Sequence, residues 1–377
     1  MRRTFFLSTL KLIAKATIIT VAALTAASCA STKVAVPDFS MVPASDAWSK
    51  FSDYVRAEIK SGGIKGGCAI SIADSGGEIW SGGFGEADPA AHTPFAADTV
   101  SNVGSVSKLF TATSIMKLVE ERKLDLDAPI TTYLPELKPK TRFPEARPIT
   151  IRDIMTHHSG LPSDYLEGFQ SGDKRPADYP ETFLKNATLA SSMYVANPPG
   201  TVLSYSNLSV AMLGIIVERV SGLSFEAFVQ KELFQPLGMQ DSSFVLPEGF
   251  EKNPRYAKGM VDKQAEPIPY IRDIPAGALD TTAHDLAKFA ASYLSAYQGK
   301  QGILSQSTVK TMFTSQDGGV EADLDWRIGL NFFLISMDSL PGEFIVGHDG
   351  AVPPVNNPHQ RWGLLQPYKG FLYFSLD

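Results

Sequence analysis

Strand-like segments stand at both ends of this chain, and a long, mostly helical stretch separates them. That order limits the fold more than any other feature. Near the start, Cys68 to Ala73 and Glu78 to Phe84 are apolar runs on either side of the turn Asp74 to Gly77, which reads as a hairpin. Near the end, Ile328 to Ser336 and Phe344 to His348 repeat the strand signal. Trp362 to Leu365, Pro367 to Gly370 and Phe371 to Leu376 read as strand, turn and strand. Asp46 is the expected N-cap of a helix carrying Trp48, Phe51, Val55 and Ile59 on one side. From about residue 94 to 297 the apolar spacing is mostly helical, with long loops. Within it, Ile149 to Pro162 reads as a helix ending at a Ser-Gly turn. Asn207 to Val220, Phe225 to Phe234 and Ala283 to Tyr297 read as further helices. The expected class is α+β, layered like an α/β protein. One antiparallel sheet forms from the two chain ends, flanked by helices, with a mostly helical lobe inserted at about 94–297.

The first residues read as an address rather than as fold. Arg2, Arg3, Lys11 and Lys15 make a basic start, and Ala16 to Ala27 is apolar with small residues toward its end. That run is short for a membrane span and fits an export signal. Leu24-Thr25-Ala26-Ala27-Ser28-Cys29 resembles a bacterial lipobox, although Ala26 stands where leucine is usual. The expectation is a signal over 1–29 with a lipid anchor on Cys29, a linker over 30–45 and a functional domain over 46–377. Ordinary cleavage nearby is the alternative. The destination is the bacterial periplasm or its membrane surface. The other cysteine, Cys68, lies in an apolar strand and is expected in the core, so no disulfide is expected. A net charge of −6 with no basic run argues against nucleic-acid binding. The oligomeric state is not legible.

The chemistry centres on Ser101-Asn102-Val103-Gly104-Ser105-Val106-Ser107-Lys108. If this stretch opens a helix, Ser105 and Lys108 lie one turn apart on one face. Leu109, Phe110, Thr113, Met116 and Leu118 then give that helix a mostly apolar side. A serine hydroxyl needs a base to take its proton, and a lysine serves once burial has lowered its pKa. Backbone N–H groups at a helix start can hold an oxyanion. The bare spacing is weak, since Ser8/Lys11, Ser114/Lys117, Ser171/Lys174 and Ser307/Lys310 share it. Two further stretches add weight. Tyr205-Ser206-Asn207 precedes an apolar helix and is the only Tyr-x-Asn in the chain. A tyrosine of lowered pKa can relay protons, and an asparagine can donate to a substrate carbonyl. Gly347-His348-Asp349-Gly350 follows an apolar strand, where a histidine can bind a carboxylate or move a proton. His92, His157, His158, His284 and His359 have no marked partner and read as core or surface residues. There is no G-x-S-x-G elbow of an α/β-hydrolase.

Taken in order, Ser105-x-x-Lys108, Tyr205-x-Asn207 and His348-x-Gly350 resemble the serine β-lactamase and penicillin-binding-protein superfamily, in its class C-like branch with D,D-peptidases, D-aminopeptidases and esterases. Ile154 to Pro162, Pro199 to Thr201, Phe234 to Met239 and Pro275 to Leu279 resemble that branch too. The resemblance spans about residues 46–350 and implies a β-lactamase/transpeptidase-like fold. It implies that Ser105 is acylated, that Lys108 and Tyr205 share general-base work, and that Asn207 orients the substrate. The backbone N–H groups of Ser105 and Ala351 would form the oxyanion hole beside Gly350. His348 stands where many relatives carry lysine, which lowers the expectation of antibiotic hydrolysis. Neither a metal nor an organic cofactor is implied. The family usually continues to a further strand and a long C-terminal helix, whereas only 27 residues follow Gly350, so that helix is expected to be missing. The expected function is a serine hydrolase of small-molecule or peptidoglycan-derived substrates, either D-amino-acid peptides or carboxylic esters. The alternatives are a class C-like β-lactamase, or a catalytically weak cell-wall binding or scaffold protein.

Overall fold

The computed structural model describes residues 19–24, 44–62, 66–164, 194–261, 264–266, 268–316, 318–337, 340–352 and 368–376. Its elements are β1 (Ile19–Leu24), α1 (Ala44–Ser61), β2 (Gly67–Asp74), β3 (Gly77–Asp88), β4 (Thr93–Pro94) and β5 (Ser101–Asn102). Then come α2 (Ser107–Glu120), α3 (Ile151–Met155), α4 (Asn207–Ser221), β6 (Asp280–Thr281) and α5 (Ala283–Tyr297). The chain closes on β7 (Phe333–Met337), β8 (Leu340–Val352) and β9 (Tyr368–Ser375). Seven strands form one sheet in the order β7-β8-β9-β1-β2-β3-β4, and every neighbouring pair is antiparallel. The expected sheet from both chain ends is therefore present.

β2 is buried on both faces from Gly67 to Ala73, and its alternation shows why. Cys68, Ile70 and Ile72 project one way and pack with Phe51 and Val55 of α1 and Phe84 of β3. Trp48 and Trp80 stack beside them with centroids 5.4 Å apart. Ala69 and Ala73 project the other way, where Ala283, Ala287 and Ala291 of α5 meet them. Small residues on both sides let α5 sit close to the sheet. The last helix of the expected lobe is thus a layer on the sheet. Cys68 is buried and free, and burial pushes its thiol up to about 12, as a core residue requires.

Several local expectations change. α1 begins at Ala44, so Asp46 lies within its first turn rather than at its cap. α3 is only five residues long, because Thr150 and Asp153 close a capping box at its start and His157 turns to φ +60 just past its end. β9 runs unbroken through Tyr368 to Ser375, because Val352 to Ile345 of β8 pair with it residue by residue; no turn falls at Gly370. Residues 362–365 lie outside the described residues. α2 buries Ser107 to Met116 and Leu118, so it is enclosed on all sides rather than amphipathic.

β1 falls inside the apolar run expected to be an export signal. It pairs with β2 from Ile19↔Ala73 to Leu24↔Cys68 and with β9 from Thr20↔Tyr373 to Ala22↔Phe371. Cys29 and the linker to 43 lie outside the described residues. A chain cleaved before Cys29 lacks this strand, and the facing edges of β2 and β9 lose their backbone partner. Protein lacking residues 1–43 is therefore expected to melt lower and to associate more than the full chain. Equal melting by thermal scan, with a monomeric profile in light scattering, would show that β1 adds nothing.

A second stability feature lies behind the sheet. Asp280 of β6 pairs with Asn102 of β5 and is 1% exposed. Its Oδ1 has no hydrogen-bond partner among the described residues. Burial pushes its carboxyl up to about 8, against the lowering effect of its Asn102 hydrogen bond. Between about pH 4 and 8 the unfolded chain releases this proton while the folded chain keeps it. Stability then falls as pH rises through that window. Asp280→Asn is expected to raise the melting temperature at pH 8 and to leave it nearly unchanged at pH 4; a gap independent of pH would refute this.

Candidate active site

The site begins with a backbone turn. Gly104 to Val106 form a single 3-10 turn leading directly into α2, so Ser105 stands two residues before the helix proper. Gly104 has φ +52, and a Cβ there would lie 2.8 Å from the backbone nitrogen of Ala351. A Cβ on Gly350 would lie 1.9 Å from the Val103 carbonyl oxygen and 2.8 Å from the Ser105 nitrogen. Only glycines allow β8 to approach the serine turn this closely. That approach brings Ser105, Gly350 and Ala351 together. Further bonds brace the turn: Gly104 N–H donates to Asn102 Oδ1 at 2.9 Å, Ser107 Oγ donates to the Gly104 carbonyl at 2.6 Å, and Leu279 N–H donates to Ser107 Oγ at 2.9 Å.

Lys108 follows one turn later and is fully buried. Its Nζ lies 2.9 Å from Ser105 Oγ and donates to the Ala276 carbonyl at 2.6 Å. It also sits 4.9 Å from the centroid of the Tyr205 ring. Burial lowers its pKa to about 7, against the opposing pull of Asp164, Asp273 and Asp349. Near neutral pH a large share of Lys108 is therefore an amine whose lone pair can take the serine proton. The Ala276 carbonyl comes from the short helix Ile274–Gly277, which Thr111 Oγ1 also grips through the Pro275 carbonyl at 2.6 Å.

Tyr205 and Asn207 flank Ser206, the N-cap of α4. Ser206 Oγ accepts from Ser209 N–H at 3.0 Å and donates to the Pro162 carbonyl at 2.6 Å. Tyr205 shares a hydrogen bond with Ser105. Burial pushes its phenol above the ordinary value, so the expectation of a lowered tyrosine pKa is corrected: desolvation outweighs the hydrogen bond that favours the anion. In the unliganded site Lys108, not Tyr205, is the group whose proton is labile. Asn207 Nδ2 donates to Asp164 Oδ1 at 2.9 Å. His348 is 2% exposed, with its ring 6.0 Å from that of Tyr205.

Two histidines read as unpartnered turn out to support the tyrosine. His157 packs its ring, tilted, 4.3 Å from that of Tyr205, accepts from Ser206 N–H at Nδ1 and from Ser204 N–H at its carbonyl. Burial holds its pKa well below the usual histidine value, so it is neutral. His158 Nε2 meets Asp323 Oδ2 at 2.7 Å, and Asp323 Oδ1 accepts from Leu203 N–H at 2.6 Å. His92 and His284 pair with Glu86 and Glu78 in partly exposed contacts apart from the serine. His359 lies outside the described residues. Both supporting histidines fall in the Ile154–Pro162 stretch that resembled the family, which was their only signal in the sequence. Among the described residues no three His, Cys, Asp or Glu side chains converge as metal ligands.

If Lys108 is the base, kcat/KM for any acyl substrate is expected to rise through about pH 7 and level off as the amine loses its proton. Lys108→Arg, always charged, is expected to abolish that limb and nearly all turnover. An acid limb that persists in this variant would assign the base elsewhere.

Comparison with known proteins agrees with this geometry. The beta-lactamase family matches residues 51–361. Esterase EstB of Burkholderia gladioli is 35% identical over 211 residues, covering 53% of this chain and 52% of the esterase. Penicillin-binding protein 4 of Amycolatopsis lactamdurans is 29% identical over 267 residues, covering 67% of this chain and 66% of that protein. The chain thus spans about half to two thirds of the length of these curated relatives. The octameric penicillin-binding protein homologue of Pyrococcus abyssi superposes with a TM-score of 0.66 at 28% identity, over 87% of this chain and 73% of that structure.

Proposed function

Because the chain belongs to the beta-lactamase family, we propose that it is a serine hydrolase that works through an acyl-enzyme on Ser105 and prefers carboxylic esters. The observation that carries this reading is the buried Lys108 Nζ at 2.9 Å from Ser105 Oγ. A binding-only scaffold has no need of a desolvated lysine held on a serine.

Ser105 Oγ attacks the substrate carbonyl carbon as its proton passes to the neutral Lys108 amine. Charge builds on the carbonyl oxygen, beside the backbone N–H groups of Ser105 and Ala351. Collapse expels the alcohol, with Lys108 returning the proton through Tyr205. Water then attacks the acyl group by the same route in reverse, and Ser105 is freed. Asn207 and His348 line the substrate position, and no cofactor takes part.

The ester preference rests on charge. Among the described residues, the cations near the serine are poorly placed to hold a substrate carboxylate: Lys108 is shifted toward neutrality, and Arg272 Nε donates to Asp273 at 2.9 Å. Asp164, Asp273 and Asp349 all act on Lys108. With Asp273 taken up by Arg272, a substrate ending in a carboxylate, such as a D-amino-acid peptide or a penicillin, enters against Asp164 and Asp349. The second reading, a D-amino-acid peptidase, draws on the relative named penicillin-binding protein 4. Export to the cell envelope remains part of the proposal, resting on Arg2, Arg3, Lys11, Lys15 and the apolar run after them.

Intact-mass analysis after exposure to a fluorophosphonate is expected to show one adduct on the folded protein and none on Ser105→Ala. Turnover of p-nitrophenyl acetate is expected to fall at least about 10³-fold in that variant. An adduct that survives Ser105→Ala, or folded protein that forms none, would overturn the assignment.

A further inference from the structure

Leu324 and Trp326 are large apolar side chains set two residues apart in one loop, 76% and 56% exposed. Their loop is not loose. The residue before them, Asp323, is 3% exposed and ties the loop to His158 and to Leu203 N–H, two residues ahead of Tyr205. Trp326 N–H donates to the Asp323 carbonyl at 2.9 Å. Arg327 Nη1 donates to the carbonyls of Leu324 at 2.7 Å and Trp326 at 2.6 Å. Leu324 sits at φ 53 and ψ −118, a region that a side chain disfavours. The fold therefore holds an exposed leucine in a strained backbone and an exposed tryptophan beside it, and neither arrangement adds to stability.

From Trp326 the aromatic contact is unbroken to the catalytic groups. Its ring meets Phe333 edge-on at 5.7 Å, and Phe333 is 8% exposed at the start of β7. Phe333 lies 5.2 Å from the His348 ring and 6.5 Å from the Tyr205 ring. The chain of ring contacts runs from the exposed Trp326 through Phe333 to His348 and Tyr205, with the exposed Leu324 two residues from its outer end.

We propose that Leu324, Trp326 and Phe333 form a substrate subsite for an alkyl or aryl arm, so that the preferred substrates are esters carrying an extended apolar group next to the scissile bond. This inference rests on the serine-hydrolase reading above. A substrate arm laid on Trp326 and Leu324 removes their exposed surface from water at roughly 25 cal/mol per Å². The gain is realised only by substrates long enough to reach them.

The test uses the full chain and two ester series. One extends the acyl group of p-nitrophenyl esters from acetate to butyrate to octanoate; the other keeps acetate and enlarges the alcohol from ethyl to hexyl. In the wild type, kcat/KM is expected to rise at least about tenfold along one series. In Trp326→Ala that rise shrinks to under threefold, while p-nitrophenyl acetate turnover stays within about twofold. Leu324→Gly, which relieves the strained φ, is expected to flatten the same series with no loss of melting temperature. A flat response in both series, or a rise that Trp326→Ala keeps, overturns the subsite. Binding separates this from failure of the chemistry. Ser105→Ala is titrated with the octanoyl ester, followed by tryptophan quenching. Saturable quenching, lost on adding Trp326→Phe, supports the subsite even if turnover is absent; quenching that the second substitution leaves unchanged counts against it.

Discussion

A lysine side chain with no exposed surface is the constraint on which the site depends. Lys108 cannot be hydrated, so its amine must either lose its proton or find partners inside the protein. The fold supplies the Ala276 carbonyl and the Ser105 hydroxyl as direct partners and three carboxylates at longer range. These leave it near the midpoint of its titration at neutral pH. Every element around it follows from that placement. α2 is enclosed on all sides because it carries Lys108 inward, and the Ile274–Gly277 turn is gripped at two carbonyls because one of them receives the lysine.

The sheet and the helices meet at this point through backbone rather than side chains. β8 touches the serine turn across Gly104 and Gly350, where added carbon would overlap nitrogen or carbonyl oxygen. Such a contact has no side chain to adapt, so it fixes the separation of the Ser105 and Ala351 amides rigidly. β1 bears on the same sheet from its centre, joined to β2 and β9 on its two edges. The strand falls in the short apolar run that the sequence reads as an export signal.

Around the tyrosine, polar groups are held by unusual backbone. His157 adopts a left-handed φ, and through its ring, its carbonyl and Nδ1 it holds the three residues Ser204 to Ser206. His158 and Asp323 form a second brace to Leu203. Tyr205 is therefore positioned by two adjacent histidines, one directly and one through Asp323. Their spacing along the chain says nothing of this, because their partners lie about fifty and 165 residues away.

The sequence by itself determined the class of fold and marked a set of candidate groups. Apolar strand runs at both ends called for a shared antiparallel sheet, and the ordered Ser105–Lys108, Tyr205–Asn207 and His348–Gly350 stretches marked the pieces that meet. These were legible because each is local: a short apolar run, a helical turn, a residue type beside a turn. Tertiary structure decided what locality cannot encode. It set the protonation of Lys108 and reversed the expected shift of Tyr205, because desolvation depends on what packs over a group from distant parts of the chain. It gave His157, His158 and Asp323 their contacts, made α5 a layer of the sheet, and joined Trp326 through Phe333 to Tyr205. Each of these is a contact across long sequence separation, where pattern along the chain carries no distance information.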